Sequence, residues 1–126
     1  MAFRAAVVGC GRIGSTIDDE HRNRPQFRYP WAHAPAYIEA DGVELVAASD
    51  LRSAQLEDFK ERWGVTALYT DFMEMVDQEQ PDIVSVTTAA PDRANVVVRL
   101  AESGRVKAIY ETKQISVSIA EADEMI

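Results

Sequence analysis

The sequence predicts an α/β domain with a doubly wound, mostly parallel sheet and helices on both faces. Three observations predict this fold. Short apolar runs alternate with amphipathic segments, two of the runs are almost continuously apolar, and a glycine-rich turn directly follows the first run. Continuously apolar runs are typical of parallel strands, because helices cover such strands on both faces.

Five apolar runs are predicted to be strands. They are Phe3 to Val8, Val43 to Ser49, Ala67 to Tyr69, Asp82 to Thr87 and Lys107 to Tyr110. Because helix-like segments lie between them, right-handed crossovers are expected to join the strands and to make them parallel.

The segments between these runs carry signals of helix starts and ends. Ser53 to Trp63 has apolar residues spaced by three and four, and Gly64 follows where a left-handed cap is favoured. Asp71 and Ser118 each precede a glutamate by three residues, which is typical of a capping box. Two further helices are predicted, at Pro35 to Ala40 and at Arg93 to Ser103.

Residues 18–33 interrupt this alternation with a polar and aromatic segment that contains Pro25 and Pro30. We interpret it as an inserted loop that follows the first helical turn. Because it is basic and aromatic and emerges near the glycine turn, one hypothesis is a lid over a cofactor or substrate, and a solvated loop is the alternative. The arginines in question are Arg22, Arg24 and Arg28.

Composition and charge narrow the function. The chain has 126 residues, 47% of them hydrophobic, which suits a single domain with its own core. Its net charge of −8 argues against a general binder of nucleic acid or anionic membranes, because phosphates attract clustered lysine and arginine. Residues 1–38 nevertheless hold five arginines against three acids. Any anion site is therefore expected in the first third.

The sequence gives no sign of a metal site or of export. Cys10 is the only cysteine, so neither an internal disulfide nor a thiolate zinc site can form. His21 and His33 are too few and too far apart for a metal site, and His33 is expected to pack at a helix start or to face a pocket. No apolar run approaches the ~20 residues of a membrane span, and no signal peptide is recognised. The cytoplasm is the expected compartment.

The glycine-rich turn is the strongest functional signal. Gly9, Gly11 and Gly14 form a G-x-G-x-x-G pattern between a strand and a helical segment, the context of a dinucleotide site. The first glycine allows a tight turn, the second lets the backbone approach a pyrophosphate, and the third allows close helix packing. The N–H groups of Arg12 and Ile13 are expected to face the phosphates, and the Arg12 side chain either the phosphates or solvent. A turn without a ligand and the glycine loop of a methyltransferase are the alternatives.

An acidic residue ends the second predicted strand. Asp50 lies 36 residues after Gly14, beyond the usual ~20, and removing the insertion restores that spacing. A carboxylate here accepts hydrogen bonds from both hydroxyls of an adenosine ribose and repels a 2′-phosphate, so it favours NAD. Arg52 could accommodate such a phosphate, so NADP stays an alternative.

Six segments carry a family resemblance, in one order along nearly the whole chain: Ala6–Gly14, His33–Ala34, Val43–Asp50, Pro81–Thr87, Ala101–Gly104 and Ile119–Ile126. In this order they resemble the amino-terminal domain of the glucose-fructose oxidoreductase and inositol dehydrogenase family (Gfo/Idh/MocA). The resemblance implies a Rossmann fold with strand order 3-2-1-4-5. It also implies an NAD(P)-dependent oxidoreductase that acts on a sugar, polyol or related carbonyl compound.

The resemblance also indicates residues near the reacting centre. The family's Glu-Lys-Pro signature falls on residues 112–114, where only Lys113 is retained, and this lysine is the candidate catalytic residue. After the fourth strand, Thr88 and Arg93 are candidate cofactor contacts, with Arg93 in the place of a family histidine. For Lys113 and Arg93 a solvated surface position is the alternative.

Family enzymes normally continue into a second domain that supplies most of the substrate pocket and the oligomer interface. Residues 1–126 are therefore expected to be the cofactor-binding part of such an enzyme, inactive by themselves, with a small-molecule substrate bound in the full-length protein. A non-catalytic NAD(H)-binding sensor or partner-binding module is the alternative. Self-association of the chain is left open in both cases.

Overall fold

The computed structural model describes all 126 residues and contains one five-stranded sheet. The strands are β1 (Phe3–Val8), β2 (Val43–Ser49), β3 (Ala67–Tyr69), β4 (Ile83–Val86) and β5 (Ala108–Glu111). All neighbouring pairs are parallel, and the order across the sheet is β3-β2-β1-β4-β5. The predicted doubly wound fold and its strand order are confirmed.

Five α-helices connect or follow the strands. They are α1 (His33–Glu39), α2 (Ser53–Trp63), α3 (Phe72–Glu79), α4 (Ala90–Ser103) and α5 (Ile119–Glu124). A turn of π-helix at Arg12–Thr16 and a 3-10 turn at Ile17–His21 precede α1. The helical segment expected directly after the glycine turn is thus limited to the turn at Arg12–Thr16, because the insertion, which starts within the 3-10 turn, follows at once. None of the helices has the length and apolarity needed to cross a bilayer.

Most helix ends follow their local signals. Asp71 and Ser118 each accept a hydrogen bond from the N–H three residues on, at the starts of α3 and α5. Gly64 and Gly104 end α2 and α4 with left-handed φ angles of 71° and 64°. The start of α4 differs from the prediction: the helix begins at Ala90, three residues before Arg93, since its first turn tolerates a proline.

Two hydrophobic clusters cover the two faces of the sheet. Consecutive strand residues point to opposite faces, so Val7 and Val8 of β1 belong to different clusters. The cluster of Val8 packs against α3 and α4, whereas the cluster of Val7 includes Phe59 of α2 and residues of α1. The central strands are therefore buried on both sides, as their apolar sequences predict.

The insertion folds on itself and is tied to α2. The carboxylate of Asp18 accepts a hydrogen bond from the N–H of Trp31 at 2.8 Å. Asp19 pairs with Arg62 of α2 at 2.7 Å. Three rings pack together with centroids 4.8 to 5.6 Å apart. These rings belong to His21, Phe27 and Trp31.

All five strands end at the same edge of the sheet. β1 and β4 are neighbours there although they are not consecutive in the chain, and ligands of doubly wound proteins bind at such a crevice. The glycine turn follows β1, Asp50 follows β2, and Lys113 lies beyond β5. The fold thus collects the predicted site residues along one edge.

Candidate functional site

Two glycines of the turn are required by close neighbours. Gly9 has a φ of 101°, and a Cβ on it would lie 2.8 Å from the backbone of Thr87 and Thr88. A Cβ on Gly14 would lie 2.8 Å from the Thr87 hydroxyl oxygen and closer still to the carbonyl oxygen of Gly9. These two positions let the turn and the following helical segment close against the end of β4.

Gly11 differs from these two glycines, because a Cβ there would meet no protein atom within 4 Å. Its lack of a side chain leaves room for a ligand instead. The backbone beside it is open, and the N–H groups of Arg12 and Ile13 donate to no acceptor within the protein. Open backbone with unpaired N–H groups is suited to phosphate oxygens. The turn therefore fits the pyrophosphate of a dinucleotide.

Thr87 fastens this turn to the neighbouring strand. Its hydroxyl donates to the carbonyl oxygen of Gly9 at 2.6 Å, and its N–H donates to the carbonyl oxygen of Val8 at 2.9 Å. Sequence reasoning did not select Thr87 as a site residue. A hydroxyl at the end of a strand predicted to lie beside the glycine turn is the signal that could have found it.

Asp50 is held beside the glycine turn. Its Oδ2 accepts a hydrogen bond from the N–H of Cys10 at 2.9 Å, and its Oδ1 accepts one from the N–H of Arg52 at 2.8 Å. The side chain of Asp50 is 12% exposed, whereas that of Arg52 is 71% exposed, with Nε 4.0 Å from Oδ1. The structure thus brings the carboxylate and the turn together and leaves the guanidinium facing solvent.

The Arg12 side chain turns towards the insertion. Its Nε and Nη2 donate to the two carboxylate oxygens of Glu20 at 2.6 and 2.9 Å. This hydrogen-bonded pair lowers the pKa of Glu20 and raises the pKa of Arg12. The guanidinium was expected to meet either the phosphates or solvent, and it instead pairs with Glu20.

The other arginines of the insertion have three different settings. Arg22 pairs with Asp19 at 2.5 Å, Arg24 lies 6.0 Å from the centre of the Phe27 ring, and Arg28 is exposed. A lid role for the insertion stays a prediction.

Arg93 is 6% exposed, which excludes the solvated position considered from the sequence. Its Nη2 donates to the carbonyl oxygen of Thr88 at 2.8 Å, and its Nη1 donates to the carbonyl oxygen of Gln114. The hydroxyl of Thr88 and the Nε of Arg93 are buried without a protein partner. Arg93 thus joins the loops that follow β4 and β5.

Lys113 is exposed in the loop after β5, and its peptide bond to Gln114 is cis. Its ammonium group forms no ion pair within the protein. Nearby, burial raises the pKa of Glu111, and the positive charge of Arg93 opposes this rise. Lys113 follows β5 and the glycine turn follows β1, so both lie at the same edge of the sheet, with β4 between these two strands.

His33 packs at the start of α1. Its Nδ1 is 2.7 Å from the hydroxyl oxygen of Ser85, and the hydroxyl of Tyr37 is 2.6 Å from the same oxygen. The imidazole stacks on Tyr110 with centroids 4.6 Å apart, and burial lowers its pKa. Of the two placements expected for His33, the structure has the packed one.

Cys10 is fully buried between the first two glycines, and burial raises the pKa of its thiol. A thiol held in its neutral form is a poor nucleophile. The residue acts as a small spacer in the turn.

The chain is similar to several known dehydrogenases. A family model described as an oxidoreductase family with an NAD-binding Rossmann fold matches residues 3–126. D-apiose dehydrogenase of Paraburkholderia graminis is 32% identical over 124 residues, covering 98% of this chain and 28% of that enzyme. Myo-inositol 2-dehydrogenase of Thermotoga maritima is 28% identical, covering 98% of this chain and 32% of the enzyme.

A solved structure of a probable dehydrogenase from Thermotoga maritima is similar with a TM-score of 0.78 and 30% identity, covering 98% of this chain and 32% of that one. The chain thus spans less than a third of the length of the curated relatives that it matches. With its strand order, its glycine turn and this match over residues 3–126, the chain belongs to the Gfo/Idh/MocA oxidoreductase family and forms its NAD-binding Rossmann domain.

Proposed function

We propose that this chain holds the cofactor of an NAD(P)-dependent dehydrogenase that acts on a sugar, a polyol or a related carbonyl compound. The observation that carries the proposal is the anchored carboxylate of Asp50 beside the open backbone at Gly11. D-apiose and myo-inositol, the compounds in the names of two relatives, are both polyhydroxylated. They supply the proposed substrate class.

The phosphate end of the site is built from backbone. The N–H groups of Arg12 and Ile13 are unpaired, and no atom lies within 4 Å of where a Gly11 side chain would stand. A pyrophosphate can therefore approach closely and accept hydrogen bonds without displacing a protein group.

The ribose end of the site is built on Asp50. Its carboxylate is held by the N–H groups of Cys10 and Arg52, so its direction is set before a ligand arrives. Fixed in this way, it can accept hydrogen bonds from the adenosine ribose while its charge repels a 2′-phosphate. We therefore propose that NAD is preferred over NADP, with exposed Arg52 as the residue that gives NADP its residual affinity.

At the reacting end, bound NAD(H) supplies or accepts the hydride, and the protein positions it. Lys113 is the proposed catalytic residue, because it places an exposed ammonium group at the same sheet edge. There it would stabilise negative charge on a substrate oxygen or exchange a proton with it. Because the relatives are more than three times as long, we propose that most substrate contacts lie outside residues 1–126 and that this chain alone binds cofactor without turnover.

Calorimetric titration of the chain with NAD and NADP tests the proposal. Wild type is expected to bind NAD more tightly, and Asp50→Asn to lose about tenfold or more in NAD affinity, since hydrogen bonds to a charged group contribute ~1.5–3 kcal/mol. Asp41→Asn, an exposed change beyond the opposite end of β2, is the matched control and should bind as wild type does. Circular dichroism checks that both variants are folded.

Two results would contradict the proposal. One is a wild-type preference for NADP, and the other is unchanged NAD affinity in Asp50→Asn. Oxidation of a polyol by the 126-residue chain alone would overturn only the proposed lack of turnover. A longer gene product that binds NAD(H) but catalyses no hydride transfer would favour the sensor alternative.

A further inference from the structure

We propose that Arg93 is a positioning residue that sets where Lys113 stands in the cofactor site. This inference rests on the proposed function, because the position of Lys113 matters only if the loop after β5 lies at the reacting end of the cofactor. The role differs from the direct cofactor contact expected from the sequence. Both terminal nitrogens of Arg93 already bind protein carbonyls.

The loop that carries Lys113 is attached to the rest of the protein by very few hydrogen bonds. Residues 112–115 take part in no backbone–backbone hydrogen bond. Their one hydrogen bond of any kind runs from Arg93 to the carbonyl oxygen of Gln114, the residue after Lys113. The next residues, Ser116 and Val117, bond only to groups a few positions further along. Arg93 is therefore the anchor of this loop.

The anchor itself is firmly placed. Arg93 lies in the first turn of α4, is 6% exposed, and donates to the carbonyl oxygen of Thr88 at 2.8 Å. Thr87, which precedes Thr88, donates a hydrogen bond from its hydroxyl to the carbonyl oxygen of Gly9 at 2.6 Å. A connected set of contacts thus runs from the phosphate turn, through the end of β4, to the loop of Lys113.

The chemistry of this anchor requires an arginine. A guanidinium is planar, stays charged and offers donors on separate nitrogens, so it can bind two carbonyl oxygens of two different loops at once. A lysine ammonium is compact and would reach only one of them from the same position. The positive charge of Arg93 also acts on Glu111 at the end of β5, where it opposes the rise in pKa that burial causes.

The test compares Arg93→Met, which keeps a long side chain and removes its donors, with Arg93→Lys and with Arg99→Met. Arg99 is exposed on the same helix, where it covers the ring of Phe72, so its variant is the matched control. Amide NMR relaxation of the full chain reports the loop. In Arg93→Met the order parameters of residues 112, 113 and 115 should fall from about 0.85 to below about 0.6, while those of the glycine turn stay unchanged.

Cofactor binding supplies a readout that a general loss of structure would not give. NADH affinity should fall about fivefold in Arg93→Met, whereas the affinity for ADP-ribose, which lacks the nicotinamide, should stay within about twofold of wild type. Lys113→Met should weaken NADH binding less in the Arg93→Met background than in wild type, because a displaced lysine has less to lose. Arg93→Lys should restore part of the NADH affinity and serves as the test variant if Arg93→Met does not fold.

Three results would overturn the inference: unchanged loop order in Arg93→Met, an equal loss of NADH and ADP-ribose affinity, or the same effect of Lys113→Met in both backgrounds. Failure of wild type to bind either ligand would refute the proposed function instead. In that case the NMR comparison still decides whether Arg93 anchors the loop.

Discussion

Alanine at position 14 tests how closely the glycine turn packs on β4. In a helical turn, glycine to alanine ordinarily stabilises a protein by ~0.5–1 kcal/mol. Here the new Cβ would lie 2.8 Å from the Thr87 hydroxyl oxygen and closer still to the carbonyl oxygen of Gly9. These two oxygens hydrogen-bond each other at 2.6 Å, so neither can move away without breaking that bond.

The steric cost should therefore exceed the helix-propensity gain. Overpacking of this kind costs ~1–3 kcal/mol, and the absence of a flexible neighbour places Gly14→Ala at the upper end. For a chain of this length 1 kcal/mol corresponds to about 4 °C in Tm, so the loss should be about 10 °C.

Thermal unfolding followed by circular dichroism measures this difference, with Gly11→Ala as the matched control. A Cβ on Gly11 meets nothing within 4 Å, so its Tm should stay within about 2 °C of wild type while NAD affinity falls. A Gly14→Ala variant as stable as wild type would refute the packing argument. A Gly11→Ala variant that unfolds as early as Gly14→Ala would refute the distinction between the two glycines.

Two further predictions concern stability. Burial lowers the pKa of His33 from 6.5, so the unfolded chain takes up the proton first, and the free energy of unfolding should fall as pH drops below about 6.5, by at most ~1.4 kcal/mol per pH unit. Urea titrations between pH 7.5 and 5 should give a flatter profile for His33→Gln, and an equally steep one would assign the dependence to other groups. Phe59 is fully buried, so Phe59→Ala should cost ~3–5 kcal/mol and lower Tm by more than about 10 °C, and a loss under about 4 °C would contradict its place in the core.

Signals that act over a few residues predicted most of the fold. The spacing of apolar residues predicted α2. Gly64 at its end and Asp71 at the start of α3 were predicted as caps, because cap preferences depend only on nearby N–H and C=O groups. The glycine turn belongs to the same class, since its pattern marks a strand, a tight turn and a helical start in succession. The sequence missed the early start of α4, because Pro91 is tolerated in a first helical turn as well as in a loop.

The partners of the site residues were decided by tertiary structure. Arg93 could be placed on a helix from the sequence, but its burial and its bond to Gln114 depend on where β4 and β5 end in space. The hydrogen bond from Thr87 to Gly9 joins residues 78 positions apart in the chain. Arg12 pairs with Glu20, eight residues further along, because the π-helical turn and the 3-10 turn pack against each other.

By itself, then, the sequence determined the elements, their parallel arrangement and the dinucleotide turn, because backbone conformation and strand or helix periodicity are local properties. The tertiary structure decided which polar side chains remain accessible to a ligand and which already form hydrogen bonds with the protein. Asp50 is anchored by two backbone N–H groups and its side chain remains 12% exposed, whereas both terminal nitrogens of Arg93 bind carbonyl oxygens. That difference arises because a side chain's neighbours at the sheet edge come from segments far apart in the chain.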